Sequence, residues 1–251
     1  MTRARVLNSN VIKMIAVVSM FIDHLGVILL PQYFFLRCIG RLAFPVFAFM
    51  IAEGAKYTRS KLRYFLSVFL TGLVCQIVNF FFNGGDLSMC SLITFSISIL
   101  LLYLLFYSKK IFFEAKLALW LRILFPACIM LSALAAVYAL NKVLDIDYGF
   151  WGCLLPVFAG LVDFRGVRVP KLVSKFDSYY VRLALFAVGV LRLSMHYAGV
   201  QYLGLLSVVL LAFYSEKRGT ARMKYFFYAF FPAHLALLYG VYMLIMYIIY
   251  H

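Results

Sequence analysis

Long apolar segments restrict the fold of this chain more than any other feature of its sequence. A helix that crosses a bilayer needs about 20 mostly apolar residues. Nine segments approach that pattern: residues 11–30, 33–52, 62–82, 91–107, 117–140, 149–162, 179–195, 200–214 and 225–250, of which the sixth and eighth are the shortest. The sequence therefore predicts an all-α, polytopic transmembrane helix bundle of about nine spans, with residues 1–251 forming a single integral membrane domain.

The composition excludes the soluble alternatives. Apolar and aromatic residues make up 66% of the chain and charged residues 13%, against about half and about a quarter in ordinary soluble domains. A soluble globule of this size cannot bury so much apolar surface. The five cysteines form no CxxC pair and lie in or beside apolar runs, so no metal site is expected and we predict that they are reduced.

The basic residues are distributed very unevenly between the predicted connections. With the N-terminus in the cytoplasm, 20 of the 24 fall on the inner side: Arg3, Arg5, Lys13, Lys56, Arg59, Lys61, Arg63, Lys109, Lys110, Lys116, Arg122, Arg165, Arg168, Lys171, Lys175, Arg182, Lys217, Arg218, Arg222 and Lys224. The outer loops keep only Lys142. Because cytoplasmic loops carry an excess of Lys and Arg, this bias predicts a cytoplasmic N-terminus. It also explains the net charge of +15 by topology, without nucleic acid as a partner. A minority of the inner cations are expected to contact anionic membrane lipid or a phosphorylated cosubstrate as well.

Three arginines fall inside the predicted spans instead. A charged side chain near the bilayer centre costs about 2.5–3.5 kcal/mol on insertion scales, so Arg37, Arg41 and Arg192 are expected to face a polar cavity or a partner. Arg37 and Arg41 are four residues apart and share one helical face. Arg37 also lies close enough to the outer surface to reach the headgroups, and both interpretations stay open.

The first span contains an acidic and an imidazole side chain at the depth of Arg41. His24 lies about 20 Å along this span, counted from its start. Because neighbouring residues diverge on a helix, only one of Asp23 and His24 is expected to contact Arg41, while the other faces a cavity. A single histidine in a membrane is often only a structural hydrogen-bonding group, and this reading also stays open.

Two further polar residues interrupt apolar stretches. Glu53 closes the second span, where either a salt bridge with Arg59 or Arg63 or a substrate contact is expected. His234 follows Pro232, which removes a backbone donor and usually kinks a helix. Counted from the start of the last span, His234 lies about 12–14 Å from the inner face, so the two histidines are predicted at different depths, as the ends of one transverse channel.

These residues also carry a resemblance to a known family. Similar elements occur in order from the first span to the last: Asp23-His24, Gly40-Arg41-Leu42-Ala43-Phe44-Pro45-Val46-Phe47-Ala48-Phe49, Tyr148-Gly149 with Gly152, and Phe227-Tyr228-Ala229 through His234-Leu235. Together they resemble the TraX family of F-pilin acetylases. More distantly, they are similar to transmembrane acyltransferases that modify sugars.

The resemblance implies a membrane-embedded acyltransferase in the bacterial cytoplasmic (inner) membrane. Acetyl-CoA would be the cytoplasmic cosubstrate, and no metal is implied. The acceptor would lie at the outer side, as a pilin N-terminal amine or the hydroxyl of a cell-surface glycan. The resemblance does not decide between these acceptors.

Roles for individual residues follow from acyl-transfer chemistry, which needs a base and stabilisation of an oxyanion. His24 is the expected base or covalent acyl carrier, oriented by Asp23 or a backbone carbonyl. Arg41 is expected to stabilise negative charge. The remaining candidates are substrate contacts, Arg37, Glu53, Tyr148, Arg192 and His234, and contacts to the CoA phosphates, Arg59, Lys61 and Arg63.

Two other classes of function stay open at this stage. A proton-coupled transporter uses similar buried Asp, His and Arg residues, but transporters commonly contain two similar halves, and Asp23-His24 has no counterpart later in the chain. A non-catalytic assembly protein would use His24 and Arg41 only to hold helices together.

Overall fold

The computed structural model describes residues 5–82, 85, 88–219 and 223–250. Over these residues the chain is helical, and the predicted all-α class is confirmed. The helices are α1 (Ser9–Ile28), α2 (Phe34–Gly40), α3 (Ala43–Tyr57), α4 (Lys61–Phe82), α5 (Ser91–Glu114), α6 (Leu119–Val143), α7 (Gly149–Gly160), α8 (Lys171–Ser174), α9 (Tyr179–Tyr197), α10 (Leu206–Ala212) and α11 (Lys224–Tyr250). A 3₁₀ helix, Gly199–Leu205, precedes α10.

Six segments among the described residues are long and apolar enough to cross a membrane, so the chain is a multi-pass membrane protein. They are α1, the segment Phe34–Tyr57 that contains α2 and α3, α4, α5, α6 and α11. The predicted count of nine is not confirmed. Residues 149–162 form only the 12-residue α7, and residues 200–214 form the 3₁₀ helix with α10. The 19-residue α9 has the length, but its charged residues lower its hydropathy.

The second predicted span is interrupted at Arg41. Helix α2 ends at Gly40 and α3 begins at Ala43. Pro45 explains the interruption, because it has no N–H with which to bond the Arg41 carbonyl four residues earlier. A Cβ on Gly204 would lie 3.4 Å from both the Arg41 carbonyl oxygen and Pro45 Cγ, so a small residue packs against the interruption.

Two loop pairings close the ends of the bundle. At the end where α1 begins, here named the N-terminal face, the Leu7 amide donates to the Phe213 carbonyl at 3.0 Å. At the other end, named the opposite face, the Met89 amide donates to the Asp145 carbonyl at 2.7 Å. The basic connections predicted to be cytoplasmic lie at the N-terminal face, except for Arg3 and Arg222, which are outside the described residues. Cytoplasmic orientation of that face stays a prediction.

Helix α7 lies in the core although it is short. It packs against α5, α9 and α3, and buries Cys153 and Leu155 completely. Helices α6 and α11 differ from it, because only 11% of the apolar window of each is buried inside the protein. Helices α6 and α11 therefore expose most of their apolar surface to lipid, whereas α7 is part of the core.

Candidate functional site

A cavity of about 520 Å³ opens towards the opposite face of the bundle. Its walls come from α1, the α2–α3 interruption, α4, the start of α5, the loop before α7, and α11. Six of the residues predicted from the sequence line it together: Asp23, His24, Arg37, Arg41, Tyr148 and His234. We name this space the histidine cavity.

The two histidines of the cavity are directly hydrogen-bonded. Nδ1 of His24 lies 2.7 Å from Nε2 of His234, and the rings stack with centroids 5.0 Å apart. Nδ1 of His234 lies 2.8 Å from the carbonyl oxygen of Phe230. A carbonyl only accepts, so neutral His234 carries its proton on Nδ1 and accepts at Nε2. His24 then donates from Nδ1, which assigns a free electron pair to its Nε2.

The prediction that the two histidines lie at different depths is wrong. The prediction assumes that α1 and α11 are upright in the membrane and begin at one level. The contact between His24 and His234 shows that the two helices are offset, and helices in membrane bundles are generally tilted.

Asp23 holds both arginines of α2 and its interruption. Arg37 Nη1 donates to Asp23 Oδ2 at 2.9 Å, and Arg41 Nη2 donates to Asp23 Oδ1 at 2.9 Å. This confirms that one member of the Asp23-His24 pair meets Arg41 while the other faces a cavity. The side chain of Arg37 is 36% exposed but paired with Asp23, so contact with the lipid headgroups is not its only interaction. Asp23 does not orient His24. The hydrogen bond that orients His24 is with His234, and His234 is held in turn by the Phe230 carbonyl.

Gly40 allows the ion cluster to form. A Cβ at this position would overlap the carboxylate and Cβ of Asp23. Only glycine therefore lets α2 approach α1 closely enough for Asp23 to reach both Arg37 and Arg41. This is the physical reason for the glycine in the Gly40-Arg41 element.

The Tyr148-Gly149 element forms one wall of the cavity. Tyr148 and Gly149 have φ values of 57° and 51°, which lie in the left-handed region that most side chains avoid. The Tyr148 ring stacks on Phe44 at 3.7 Å between centroids, and its hydroxyl accepts from Arg41 Nη1 at 3.4 Å. A Cβ on Gly152 would overlap Tyr148 Cβ, so this second glycine lets the turn fold back on α7.

Sequence reasoning missed two polar residues near this site. Gln201 Oε1 accepts from Arg41 Nη1 at 3.4 Å. Asp147 lines the cavity and is accessible from inside it, although protein surrounds its loop. Removal from bulk water raises the pKa of Asp147 to about 7, and the charge of Arg41 opposes the shift. The acidic loop before Tyr148 was the available signal for Asp147.

Glu53 lies at the N-terminal face, away from the histidine cavity. Its Oε1 accepts from Arg182 Nη1 at 2.7 Å, so the predicted partners Arg59 and Arg63 are wrong. Arg182 also pairs with Glu216, which in turn pairs with Arg5 at 2.5 Å. From the sequence, Arg182 is predicted only to contribute to the orientation of the chain in the membrane, because it lies one turn from a loop.

Four more predicted residues lie outside the histidine cavity. Arg192 is exposed, with its guanidinium 4.3 Å from the centre of the Trp151 ring. The three residues predicted to hold CoA phosphates, Arg59, Lys61 and Arg63, are exposed around the start of α4. Their role in cosubstrate binding stays a prediction.

Comparison with known proteins identifies the family of the chain. The family described as TraX protein matches residues 8–242. The chain belongs to the TraX family. The four elements that resemble TraX proteins meet at the histidine cavity, although they are spread over more than 200 residues of sequence.

Two individual proteins are also similar to the chain. A probable fimbrial assembly protein of Dichelobacter nodosus, serogroup H1, is 25% identical over 90% of this chain and 92% of its own length. An uncharacterized protein of Rickettsia prowazekii is 37% identical over 68 residues, and that match spans 27% of this chain but only 25% of the relative. No solved structure matches the chain.

Proposed function

We propose that this TraX-family chain is a pilus-associated acetyltransferase of the bacterial inner membrane. It transfers an acetyl group from acetyl-CoA to an amine or hydroxyl acceptor that enters the histidine cavity from the opposite face. One observation carries the proposal: the hydrogen bonds from His24 through His234 to the Phe230 carbonyl leave the electron pair of His24 Nε2 free. Such a fixed imidazole base is what acyl transfer requires.

The reaction can be written with His24 as the proton carrier. The nitrogen or oxygen of the acceptor attacks the carbonyl carbon of the acetyl thioester, while His24 Nε2 takes the proton of the attacking group. The C–S bond then breaks, and its electron pair leaves with the sulfur. The imidazolium returns its proton to that sulfur, which releases CoA as the thiol together with the acetylated acceptor.

The arginine cluster supplies positive charge beside the base. The guanidinium of Arg41 is held by Asp23, with Tyr148 and Gln201 at 3.4 Å, so its position is fixed before the reaction. A preorganised cation stabilises the charge that develops on the thioester oxygen, and does so more strongly in a cavity than in water. Arg37 is more exposed and is suited to contact the acceptor.

The acceptor is proposed from the relatives. The resemblance to F-pilin acetylases and the Dichelobacter fimbrial protein favour a pilin N-terminal amine. A glycan hydroxyl can react in the same way, because an amine and a hydroxyl each lose one proton to a base when they are acetylated. Both acceptors therefore belong in the test.

The test uses purified protein in lipid nanodiscs, labelled acetyl-CoA, and either a pilin N-terminal peptide or a surface glycan. His24→Gln should reduce transfer about 10²- to 10⁴-fold, the usual contribution of a general base. His196→Gln is the matched control, because His196 is exposed and does not line the histidine cavity. Wild-type rates in His24→Gln would contradict the mechanism. Proton-coupled uptake into liposomes, without any transfer to either acceptor, would support a transporter instead.

A further inference from the structure

A second cavity, of about 460 Å³, opens at the N-terminal face. It lies between the starts of α1 and α11, the second half of α3, α4 and the loop after α10. Lys13, Arg218 and Lys224 line it, together with the acidic residues Glu53 and Glu216. Nothing in the mechanism above uses these groups. We name this space the basic cavity.

The charges of the basic cavity are only partly neutralised within the protein. Glu53 is paired with Arg182, and Glu216 with Arg182 and Arg5. These two arginines do not line the cavity, so they engage its carboxylates from outside. Lys13, Arg218 and Lys224 have no carboxylate of the described residues within 4.0 Å. The cavity therefore presents three cations to a ligand.

A buried polar atom in the same cavity is without a partner. Glu53 is only 6% exposed, and its Oε2 accepts no hydrogen bond from the residues that the structure describes. A buried carboxylate oxygen without a donor destabilises the protein, because the water that hydrated it in the unfolded chain has not been replaced. A ligand with an anionic end at the cations and an N–H or O–H group further along its length could donate a hydrogen bond to Glu53 Oε2.

The basic cavity and the histidine cavity share one wall. Phe47, Leu92, Phe95 and Phe231 line both spaces. The rings of Phe47 and Phe231 lie 5.2 Å apart between centroids, so side chains from α3 and α11 meet in this wall. Because this wall is made of side chains, a passage between the two cavities can open by rotamer changes, without movement of the backbone.

We propose that the basic cavity binds acetyl-CoA, with its phosphate groups at Lys13, Arg218 and Lys224. An amide N–H of its pantetheine arm then donates to Glu53 Oε2, and the arm passes Phe47 and Phe231 so that the thioester meets His24. The inference rests on the proposed function and assigns the donor to residues other than Arg59, Lys61 and Arg63. The pattern fits CoA better than a small phosphate, because the cations and Glu53 recognise two chemically different parts of one ligand.

The experiment measures binding rather than transfer, by isothermal titration of CoA, which has no acetyl group, into protein in phosphatidylcholine nanodiscs. The triple variant K13Q/R218Q/K224Q should bind CoA at least 100-fold more weakly, because each lost charge-assisted hydrogen bond contributes about 1.5–3 kcal/mol. The charge-matched control R59Q/K61Q/R63Q removes three exposed cations from the same face and should change the affinity less than threefold. The reverse ranking would overturn the inference.

Further arms separate the other outcomes. His24→Gln should bind CoA as wild type does, so lost transfer with intact CoA binding supports both proposals. Normal transfer with an unchanged KM for acetyl-CoA in K13Q/R218Q/K224Q refutes the donor site but leaves the proposed function standing. If phosphatidylglycerol nanodiscs abolish CoA binding to the wild type, the cations bind lipid headgroups and the inference fails. Melting curves of both triple variants exclude misfolding as the cause of a loss, and a wild type that binds no CoA contradicts the inference.

Discussion

The cavities at the two faces of the bundle have similar volumes, about 520 and 460 Å³, but the groups that each leaves without an internal partner differ. In the histidine cavity, Asp23 uses both carboxylate oxygens on Arg37 and Arg41, and the free group is the Nε2 of a neutral imidazole. In the basic cavity, Arg182 and Arg5 hold the carboxylates, and the three cations have no carboxylate partner among the described residues. Internal pairing thus leaves a base at one face and a set of anion-binding charges at the other.

Both cavities also contain one strained backbone position. Tyr148 in the histidine cavity and Glu216 in the basic cavity have φ values of 57° and 56°. A side chain in the left-handed region costs roughly 1–2 kcal/mol per residue and persists only where surrounding contacts enforce it. Stacking on Phe44 holds Tyr148, and the ion pairs with Arg5 and Arg182 hold Glu216.

The largest effect is expected from Arg182→Gln, which tests the pairing behind the basic cavity. It leaves the buried carboxylate of Glu53 without its counter-charge, and breaking a buried pair in this way costs about 3–5 kcal/mol. Unfolding in mixed SDS micelles measures the loss. Arg192→Gln, on the same helix but exposed over Trp151, should change stability by less than about 1 kcal/mol. Equal effects of the two variants would show that the pairing of Glu53 contributes nothing.

The next effect concerns the ion cluster of the histidine cavity. Gly40→Ala forces Asp23 away from its present position, and overpacking of this kind costs about 1–3 kcal/mol. We expect lower stability in the same unfolding assay and a parallel loss of acetyl transfer. Gly240→Ala is the control, since a Cβ there meets nothing within 4 Å. Normal transfer by the Gly40→Ala variant would show that the close approach of α2 to α1 is dispensable.

A smaller effect is expected from His234, which acts through His24. His234→Phe keeps a ring in place but removes the acceptor of the His24 Nδ1 proton, so both tautomers of His24 become available. A hydrogen bond of about 1–1.5 kcal/mol corresponds to roughly a tenfold fall in kcat. KM for the acceptor should stay unchanged, and His234→Gln, which keeps an accepting oxygen, should restore part of the rate. A rise in KM alone would instead make His234 a substrate contact.

The last prediction concerns a pH profile and not an effect at one pH, and it rests on Asp147. Its folded pKa of about 7 lies above the usual 3.8, so the folded protein binds the extra proton between these values. Its contribution to stability therefore declines as the pH rises towards 7. Asp147→Asn should show a weaker fall in melting temperature between pH 4 and pH 7 than the wild type. Asp145→Asn, in the same loop, is the control, and identical profiles for wild type and Asp147→Asn would contradict the prediction.

Much of the histidine cavity could be predicted because its residues violate a strong local rule. Asp23, His24, Arg37 and Arg41 stand out against apolar segments in which charge is costly. Arg182 could not be recognised in this way, because it is one of many basic residues near a loop of the N-terminal face. The prediction of nine spans is likewise not confirmed. Helix α7 is apolar but lies in the core, and an apolar run in a sequence does not distinguish a core helix from a short span.

The sequence by itself determined the membrane class, the helical fold and the family, because each of these depends on local composition or on residue order along the chain. Only the tertiary structure decided that His24 pairs with His234, that Asp23 takes both arginines, and that Glu53 pairs with Arg182. Those pairings depend on how far each helix is shifted and rotated against its neighbours. The packing of the whole bundle sets these shifts, and no local pattern encodes them.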